Sequence, residues 1–504
     1  MLMAKTGLLA SRSSGAGRNP SRHFLRCVFD DPLVRSVGTR SRCVSLFIPF
    51  LGCASGAASF LMKRLLLLGL LLPLLTACTA YSTLQNRAID DAVPTSHYSL
   101  QRTVHQNSRK VTLVLAFSGG GTRAAALAYG VLQELRDTTV VLDGQPRRLL
   151  DEVDVISSVS GGSFTAAYFG LYGDQIFKDF ERKFLRRDVA TELVSAVLSP
   201  VFWFSRQGRS DIAVDFYEQS LFQGATFADL QRHGGPLVII NATDLGSGVR
   251  FSFLQNYFDL LCSDLSSFPV ARAVTASSAV PMLFSPVVLE NHAGCDSNAK
   301  RALQVARERP GNSLQLQQLV SGLSSYARKE ERKFIHLVDG GITDNLGLLA
   351  FQESIDVAGG AQAFLEHVGG AVAPRLAVIS VNASTNSGAA IDASSFSPTL
   401  EQTVNAVADI QLHRSNTATL ALFARSMKRW ALDVSTPEQP VEPYFVQVEL
   451  QAVAEPEQRA QLQSIPTTFS LDSLQVDGLI AAGRQLLREN PEFVRFRGDL
   501  ANPK

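Results

Sequence analysis

Short apolar runs rich in β-branched residues alternate with helical stretches along most of this 504-residue chain. Two of the runs, at 111–117 and 153–159, each lead into a glycine-rich turn and then into a stretch with helical spacing. Strands without a polar face are expected to be buried on both sides. Further runs of the same kind lie at 237–241, 334–338, 376–381 and 445–450. The pattern predicts a mostly parallel sheet with helices on each side.

The start of the chain has a different character. A basic pair at 63–64 precedes an eleven-residue apolar run at 65–75, which ends three residues before Cys78. This order is typical of a secretory signal, and the run is too short to cross a bilayer core of about 30 Å. Residues 75–78 resemble a bacterial lipobox, which implies that Cys78 is lipidated and becomes the mature N-terminus. An ordinary signal peptide with an incidental cysteine is the alternative.

These features divide the chain into segments. Residues 1–61 lack periodicity and are interpreted as a gene-model extension or a disordered leader, with translation starting at Met62. An organelle transit peptide is the alternative for this leader. A lipoprotein-type signal peptide is predicted at 62–77 and a polar tether at 78–108. A folded domain is predicted at 109–490, with a surface helical insertion at 296–333. Residues 491–504 are predicted to form a tail.

The charge of the chain is unevenly distributed. A formal net charge of +1 combines +8 in residues 1–77 with −7 in residues 78–504. The mature chain is therefore mildly acidic and lacks the basic stripe of a nucleic-acid-binding protein, so no nucleic-acid partner is expected. With 46% hydrophobic and 18% charged residues, the chain is globular rather than disordered.

After Cys78 the chain contains two further cysteines, Cys262 and Cys295. In an exported chain these two can pair as a disulfide, because the compartment is oxidising. A metal site is the alternative, since His292 and Asp296 flank Cys295. The chain has no CxxC pair and no HExxH motif, so no metal is expected.

A glycine loop, Gly119, Gly120 and Gly121, follows the first predicted strand. Three glycines let the backbone turn tightly and point its N–H groups at an anion. The Gly-Lys-Ser/Thr ending of a phosphate-binding loop is absent. The functional interpretation is an oxyanion hole, in which Arg123 stiffens the loop or adds positive charge. A tight turn without a ligand is the alternative.

Two further positions carry candidate catalytic groups. Ser160 lies between a predicted strand and helix and precedes two glycines, as a nucleophile elbow requires, although Ser158 replaces the first glycine of the usual GxSxG motif. Asp339 ends the run at 334–338 and also precedes two glycines. Open α/β sheets bind ligands at this edge, where a carboxylate can accept a proton from a serine. A capped helix start and an Asp-Gly turn are the alternatives.

In this order, the segments 119–123 and 339–341 and the elbow around Ser160 resemble the patatin-like phospholipase family. Residues 273–281 are similar to the Ala/Ser-rich helix and proline of that family. The likeness extends over about 110–347, with a weaker continuation to about residue 490. It implies an α/β protein with a three-layer α/β/α patatin-like fold and a mostly parallel central sheet.

The resemblance also implies a serine lipid acyl hydrolase with a Ser–Asp dyad. Ser160 would attack an acyl ester of a membrane lipid, Asp339 would take its proton, and the loop from Gly119 to Gly121 would hold the oxyanion. Water would then release a fatty acid from the acyl-enzyme. The implied activities are phospholipase A, lysophospholipase and esterase. No cofactor is implied, and no oligomeric state is predicted.

The expected location follows from the lipid anchor. With Cys78 lipidated, the protein is expected at a membrane surface of the bacterial cell envelope. Thr79 follows the cysteine where an aspartate would favour the inner membrane, so analogy with lipoproteins favours the outer membrane or periplasm.

Two other functions remain open. A Ser–His–Asp α/β-hydrolase would have the chain order Ser160, Asp339 and then His367 or His413. A membrane-anchored lipoprotein that binds lipid or a protein without catalysis is the other. The aromatic residues 202–204 are interpreted as core or, alternatively, as the lining of an acyl channel.

Overall fold

The computed structural model describes the body of the chain and two short stretches that precede it. The described residues are 83–89, 98–100, 110–198, 208–281, 283–385 and 395–501. Cys78, the signal segment 62–77 and the aromatic residues 202–204 lie outside these ranges, so their predicted roles stay predictions. Within the described ranges, no helix has the length and apolar character needed to cross a membrane.

An eight-stranded mixed sheet forms the centre of the described chain. Its strands are β1 Thr112–Phe117, β2 Val153–Val159, β3 Leu237–Asp244, β4 Val249–Ser252, β5 Val287–Glu290, β6 Phe334–Val338, β7 Arg375–Asn382 and β8 Glu442–Glu449. The hydrogen-bonded order is β8-β7-β1-β2-β3-β6-β5, and β4 pairs with β3. Strands β8 to β3 are parallel, whereas β4 and β6 are antiparallel to β3, and β5 is antiparallel to β6. The predicted mostly parallel sheet is confirmed, with an added antiparallel side.

Burial explains the composition of the strands. In β1, residues from Leu113 to Phe117 are all buried, although successive side chains point to opposite faces. A strand covered on both faces therefore reads as a continuous apolar run. The edge strand β8 instead contains exposed residues such as Gln447 between buried residues such as Val446 and Val448.

Helices flank the sheet. In chain order they are α1 Gly121–Asp137, α2 Gly161–Tyr172, α3 Ile176–Phe180, α4 Val189–Leu198, α5 Arg209–Tyr217, α6 Phe227–Arg232, α7 Gln255–Leu260, α8 Val270–Ser277, α9 Asn298–Glu308, α10 Leu314–Ser324, α11 Gly341–Asp344, α12 Leu349–Ala358, α13 Ala361–Val368, α14 Leu400–Val434, α15 Pro456–Gln463, α16 Ser473–Glu489 and α17 Pro491–Ala501. The glycine loop leads directly from β1 into α1, and Ser160 leads from β2 into α2.

The segment 296–333, expected as a surface insertion, contains α9 and α10. One side of each helix is buried, as at Leu303 and Leu319. Tyr326, just after α10, is fully buried and donates its hydroxyl hydrogen to the Asp244 carboxylate at the end of β3. The segment is therefore fastened to the sheet as well as exposed to solvent.

The polar segment before the domain, expected as a tether, docks on the body over residues 83–89. The Asn86 side chain is buried and exchanges two hydrogen bonds with the backbone of Glu290, at 2.8 and 2.9 Å. The short strand Arg87–Ala88 pairs antiparallel with Ser263–Asp264. Polar side chains gave the segment the appearance of a free linker, but here they bind the backbone of the folded domain.

The end of the chain, expected as a tail from residue 491, continues as α17. Phe493 and Phe496 on this helix are fully buried, and the Phe496 ring centre lies 5.0 Å from that of Tyr444 in β8. Two aromatic residues three positions apart share one side of a helix, so α17 covers part of the edge strand.

Candidate active site

Ser160 occupies the sharp turn between β2 and α2. Its backbone has φ +48° and ψ −120°, a strained conformation for a residue with a side chain. The Ser160 N–H donates to Ser277 Oγ at 2.8 Å, and the Ser163 N–H donates to the Ser160 carbonyl at 2.9 Å. Gly161 allows the close approach of the glycine loop, because a Cβ there would overlap the Gly121 carbonyl oxygen. The turn has the form of a nucleophile elbow.

Ser158, which replaces the first glycine of the usual elbow motif, is fully buried in β2. Its hydroxyl donates to the Ile239 carbonyl in the neighbouring strand β3 at 3.1 Å. The position accommodates a serine because the hydroxyl finds a partner in the sheet, which satisfies a buried polar group.

Asp339 follows β6, and its Oδ1 accepts the Gly341 N–H at 2.8 Å. Burial raises the pKa of the Asp339 carboxyl to about 6, and the Gly341 N–H and the nearby Ser160 side chain partly oppose that rise. Among the described groups that act on this pKa, none is a cation or a histidine. A buried carboxylate beside a hydroxyl can serve as a base for that hydroxyl.

The glycine loop lies against the elbow. A Cβ on Gly119 would lie only 3.4 Å from the Ser160 Cβ. The Gly119 N–H, expected in the oxyanion hole, donates to the Asn345 carbonyl at 3.0 Å in this structure. In the described part of the chain, the Gly120 and Gly121 N–H groups donate to no backbone carbonyl. Both residues have positive φ, 137° and 60°, which glycine adopts without strain.

Arg123 fastens the glycine loop to distant loops. Its Nε donates to the Ala383 carbonyl at 2.8 Å, Nη1 to the Ile465 carbonyl at 2.5 Å and Nη2 to the Thr467 hydroxyl at 2.9 Å. Burial lowers the pKa of Arg123 to about 10, partly offset by Asp409. Of the two roles expected for Arg123, these contacts fit the stiffening of the loop.

The histidines of the alternative triad lie in other contacts. His413 Nε2 is 2.7 Å from the Thr385 carbonyl oxygen, and His367 lies in the last turn of α13. Neither histidine is among the described groups that act on the pKa of Asp339.

Cys262 and Cys295 form a disulfide. The Cys295 sulfur of the alternative metal set is therefore bonded to another cysteine, and His292 Nε2 lies 3.1 Å from the Asn86 carbonyl oxygen. The described residues contain no group of three or more His, Cys, Asp or Glu side chains arranged to hold a metal ion.

An apolar cavity of about 190 Å³ lies where the parallel strands begin, at the end of the sheet opposite to Ser160. It is lined by Val111 before β1, Leu376 in β7 and aromatic residues such as Phe364 and Trp430. Neither Ser160 nor Asp339 borders it. Its position separates this cavity from the candidate catalytic groups.

Three residues of the site were missed by sequence reasoning as functional positions. Asn241 is buried in β3, and its amide donates to Ser157 Oγ at 2.9 Å and to the Ser158 carbonyl at 3.1 Å. Ser277 binds the elbow, and Asn345 binds the glycine loop. The available signal for Asn241 was an amide at the end of an apolar run. Ser277 and Asn345 are recognisable only once distant segments are brought together.

The family model for patatin-like phospholipase matches residues 115–351. The match covers slightly less than half of the chain and includes the glycine loop, Ser160 and Asp339. Comparison with curated proteins found no match.

Among solved structures, human GIVD cytosolic phospholipase A2 aligns with a TM-score of 0.40 and 12% identity, over 80% of this chain and 64% of that chain. The same enzyme in complex with methyl gamma-linolenyl fluorophosphonate has a TM-score of 0.36 and 12% identity, over 80% and 61%. VipD from Legionella pneumophila has a TM-score of 0.27 and 12% identity, over 80% and 71%. The alignment thus spans slightly less than two thirds of the first enzyme's length.

Proposed function

We propose that this domain is a serine lipid acyl hydrolase in which Ser160 is the nucleophile and Asp339 the base. The observation that carries the proposal is that the Ser160 side chain lies near enough to the buried Asp339 carboxyl to lower its pKa, at a strained turn between strand and helix. A serine hydroxyl is a weak nucleophile until a nearby base accepts its proton. Asp339 is the carboxylate that is placed to do so.

Acylation begins when the Ser160 oxygen attacks the carbonyl carbon of the ester. The hydroxyl proton moves to the Asp339 carboxylate, and the carbonyl electron pair moves onto the carbonyl oxygen. The Gly120 and Gly121 N–H groups donate to this oxyanion, and each donor of this kind contributes about 3 kcal/mol to transition-state stabilisation. The tetrahedral intermediate collapses, the alcohol leaves with the proton from Asp339, and an acyl ester remains on Ser160.

Deacylation repeats the same proton transfers with water. A water molecule loses a proton to Asp339 and attacks the acyl carbon. The intermediate collapses, the proton returns to the Ser160 oxygen, and a fatty acid is released. Ester and water are converted into alcohol and acid, and the enzyme regains its starting protonation state.

The proposed substrates are acyl esters of membrane lipids, cleaved by phospholipase A, lysophospholipase or esterase activity. The family match supports lipid as the substrate class. The test incubates purified protein with phospholipid vesicles, lysophospholipid and a short-chain ester, and measures released fatty acid by mass spectrometry. We expect release by the wild type and none by Ser160→Ala. Folded wild-type protein that releases no acid from any of these esters would refute the function.

We also propose that the protein is anchored by lipid at Cys78 in the bacterial cell envelope, on the outer-membrane or periplasmic side. The lipobox-like residues support this, as does the Cys262–Cys295 disulfide, which suits an oxidising compartment. Thr83 is docked on the domain, since its carbonyl accepts a hydrogen bond from Arg272 at 3.0 Å. Four residues lie between Cys78 and Thr83, and the five Cα–Cα steps span at most about 18 Å, so the anchor would hold the domain close to the membrane.

The anchor is tested by expressing the full chain in a bacterial host and measuring the mass of its mature N-terminal peptide. We expect a diacylated or triacylated Cys78, and release of the protein from membranes in Cys78→Ala. An unmodified Cys78 in exported protein would contradict the anchor and leave the hydrolase proposal unaffected.

A further inference from the structure

Ser277, the last residue of α8, contacts both segments that carry the proposed catalytic groups. Its Oγ accepts the Ser160 N–H at 2.8 Å, and its hydroxyl donates to the Asn241 carbonyl in β3 at 2.6 Å. The Ser277 carbonyl accepts the Gly340 N–H, next to Asp339, at 3.0 Å. Ser277 is fully buried. One residue therefore binds the elbow, the neighbouring strand and the loop of the carboxylate.

The hydrogens of this arrangement can be assigned from its geometry. A serine hydroxyl has one hydrogen to donate and two lone pairs that accept. The Ser277 hydrogen is directed to the Asn241 carbonyl, which can only accept, and one lone pair accepts the Ser160 N–H. Ser163 Oγ lies 3.1 Å away and therefore donates to the second lone pair. The Ser277 hydroxyl is thus fully satisfied.

The position of the elbow depends on these bonds. Ser160 has positive φ, and a strained backbone persists only where its surroundings hold it. Ala279, two residues after Ser277, accepts the Asp339 N–H at 3.0 Å. The C-terminal end of α8 therefore binds the backbone N–H of the nucleophile and the N–H groups of two consecutive residues in the carboxylate loop. Gly340 permits this close packing, because a Cβ there would overlap the Asn241 carbonyl oxygen.

We propose that Ser277 is a positioning residue that fixes the Ser160 hydroxyl at hydrogen-bond distance from the Asp339 carboxylate. The inference rests on the proposed function, since it assigns Ser277 a role in the same reaction. Ser277 touches no reacting atom and acts only through the backbone of the two segments. A displacement of reacting groups by about 1 Å can cost about 100-fold in rate, so loss of this support reduces the chemical step.

Ser278 provides a matched control. It is the next residue along the chain and is also buried, but its hydroxyl donates to the Val274 carbonyl within α8 at 2.8 Å. Ser278→Ala therefore removes a comparable buried hydroxyl without touching either catalytic segment. A merely structural role for Ser277 would lower the stability of Ser277→Ala more than that of Ser278→Ala and leave the kcat of the two folded variants equal.

The experiment compares wild type, Ser277→Ala and Ser278→Ala by fatty acid release and by the rate at which a fluorophosphonate probe labels Ser160. For Ser277→Ala we expect kcat and the labelling rate to fall by about 10- to 100-fold with KM unchanged. Ser278→Ala is expected to match the wild type. The acid limb of the pH–rate profile is expected to move to higher pH in Ser277→Ala, because a weaker Ser160 hydrogen bond no longer lowers the pKa of Asp339.

Two outcomes separate this inference from the proposed function. Normal labelling of Ser160 in the wild type with an unchanged labelling rate in Ser277→Ala overturns the positioning role alone. Folded wild type that is not labelled at Ser160 overturns the proposed function and the positioning role with it. If Ser277→Ala does not fold, Ser277→Cys replaces it; its weaker hydrogen bonds are expected to reduce kcat, and a wild-type kcat in that variant overturns the inference.

Discussion

Two buried aspartates, Asp339 just before the short helix α11 and Asp344 at its end, have very different surroundings. Burial raises the pKa of both carboxyls to about 6. Asp339 accepts a backbone N–H and lies beside the Ser160 side chain, with no cation acting on its pKa among the described groups. Asp344 instead lies in the field of Arg250, which lowers its pKa, and of Glu353, which raises it. A raised pKa alone therefore does not identify a catalytic base; the neighbouring hydroxyl does.

The surroundings of Asp344 form a charge cluster, defined here as Arg250, Glu353 and Asp344. The guanidinium of Arg250 donates to Glu353 Oε2 at 2.5 and 2.9 Å and to the Tyr257 hydroxyl at 2.8 Å. It also donates to Asn241 Oδ1 at 3.1 Å, and so supports the strand beside the elbow. Arg250 and Glu353 link β3, β4 and α12, and Asp344 Oδ2 accepts the Leu349 N–H at the start of α12 at 2.8 Å. We therefore expect changes here to affect stability and changes at Asp339 to affect chemistry.

The largest expected effect is that of Asp339→Asn on activity. An asparagine cannot accept the Ser160 proton, so fatty acid release is expected to fall by about 10³-fold or more. At pH 8 the same variant is expected to be more stable than wild type, by up to about 3 kcal/mol, because a buried charge is removed. Activity assays and urea unfolding measure the two effects. Retention of activity in Asp339→Asn, or an equal loss of activity in Asp344→Asn, would show that the two aspartates do not differ in catalytic role.

In the charge cluster, Arg250→Met is expected to reduce the free energy of unfolding by about 3–5 kcal/mol. The substitution leaves the Glu353 carboxylate buried without its cation. Urea unfolding measures this loss, and the double variant Arg250→Met with Glu353→Leu is expected to recover much of it. Fluorophosphonate labelling of the protein that remains folded is expected to stay near the wild-type rate. An Arg250→Met variant as stable as the wild type would show that the cluster does not hold the fold.

Activity and stability are also expected to respond to pH in opposite directions. Asp339 must be ionised to act as a base, so activity is expected to rise with pH through about 6. The folded-state pKa lies above the unfolded value of about 3.9, so the folded state binds more protons between about pH 4 and 6. The free energy of unfolding contributed by Asp339 therefore falls across this window and is constant above it.

Comparison with Asp339→Asn isolates this contribution. The stability advantage of the variant at pH 8 is expected to become small near pH 4, where the carboxyl is protonated in the folded state and about half protonated in the unfolded state. Unfolding curves at pH 4, 6 and 8 test the sign. An advantage that is independent of pH would mean that Asp339 does not titrate in this range.

The smallest expected effect is that of Ser158→Ala, a change next to the elbow. The Ser158 hydroxyl binds the Ile239 carbonyl and has no role in the proposed proton transfers. We expect a loss of about 1 kcal/mol in the free energy of unfolding and unchanged kcat, measured by urea unfolding and fatty acid release. A large loss of kcat would place Ser158 within the catalytic group.

The sequence predicted the strands and turns whose local residue pattern is also the pattern of a functional motif. β1 is a nearly continuous apolar run, β1 and β2 both lead into glycine-rich turns, and the motifs around Ser160 and Asp339 were visible without a structure. Strand β4 was missed because its four residues include Arg250. A charged residue argues against a buried strand unless its partner is known, and Glu353 lies 103 positions away in the chain.

The antiparallel side of the sheet and the role of Ser277 were missed for a related reason. The direction of β6 depends on the path between β3 and β6, which no local periodicity encodes. The four partners of Ser277 come from positions 160, 163, 241 and 340, so its contacts exist only in the folded chain. Residues 83–89 likewise read as a linker until Asn86 was seen to bind Glu290.

The most direct test of the Ser160–Asp339 pair is covalent labelling of the full chain with a fluorophosphonate probe, followed by intact-mass measurement and peptide mapping. We predict one adduct, on Ser160, in the wild type and in the double variant His367→Ala with His413→Ala. In Asp339→Asn the same adduct is expected to form at least about 10²-fold more slowly. An adduct on another serine, or labelling that depends on a histidine and not on Asp339, would contradict this prediction.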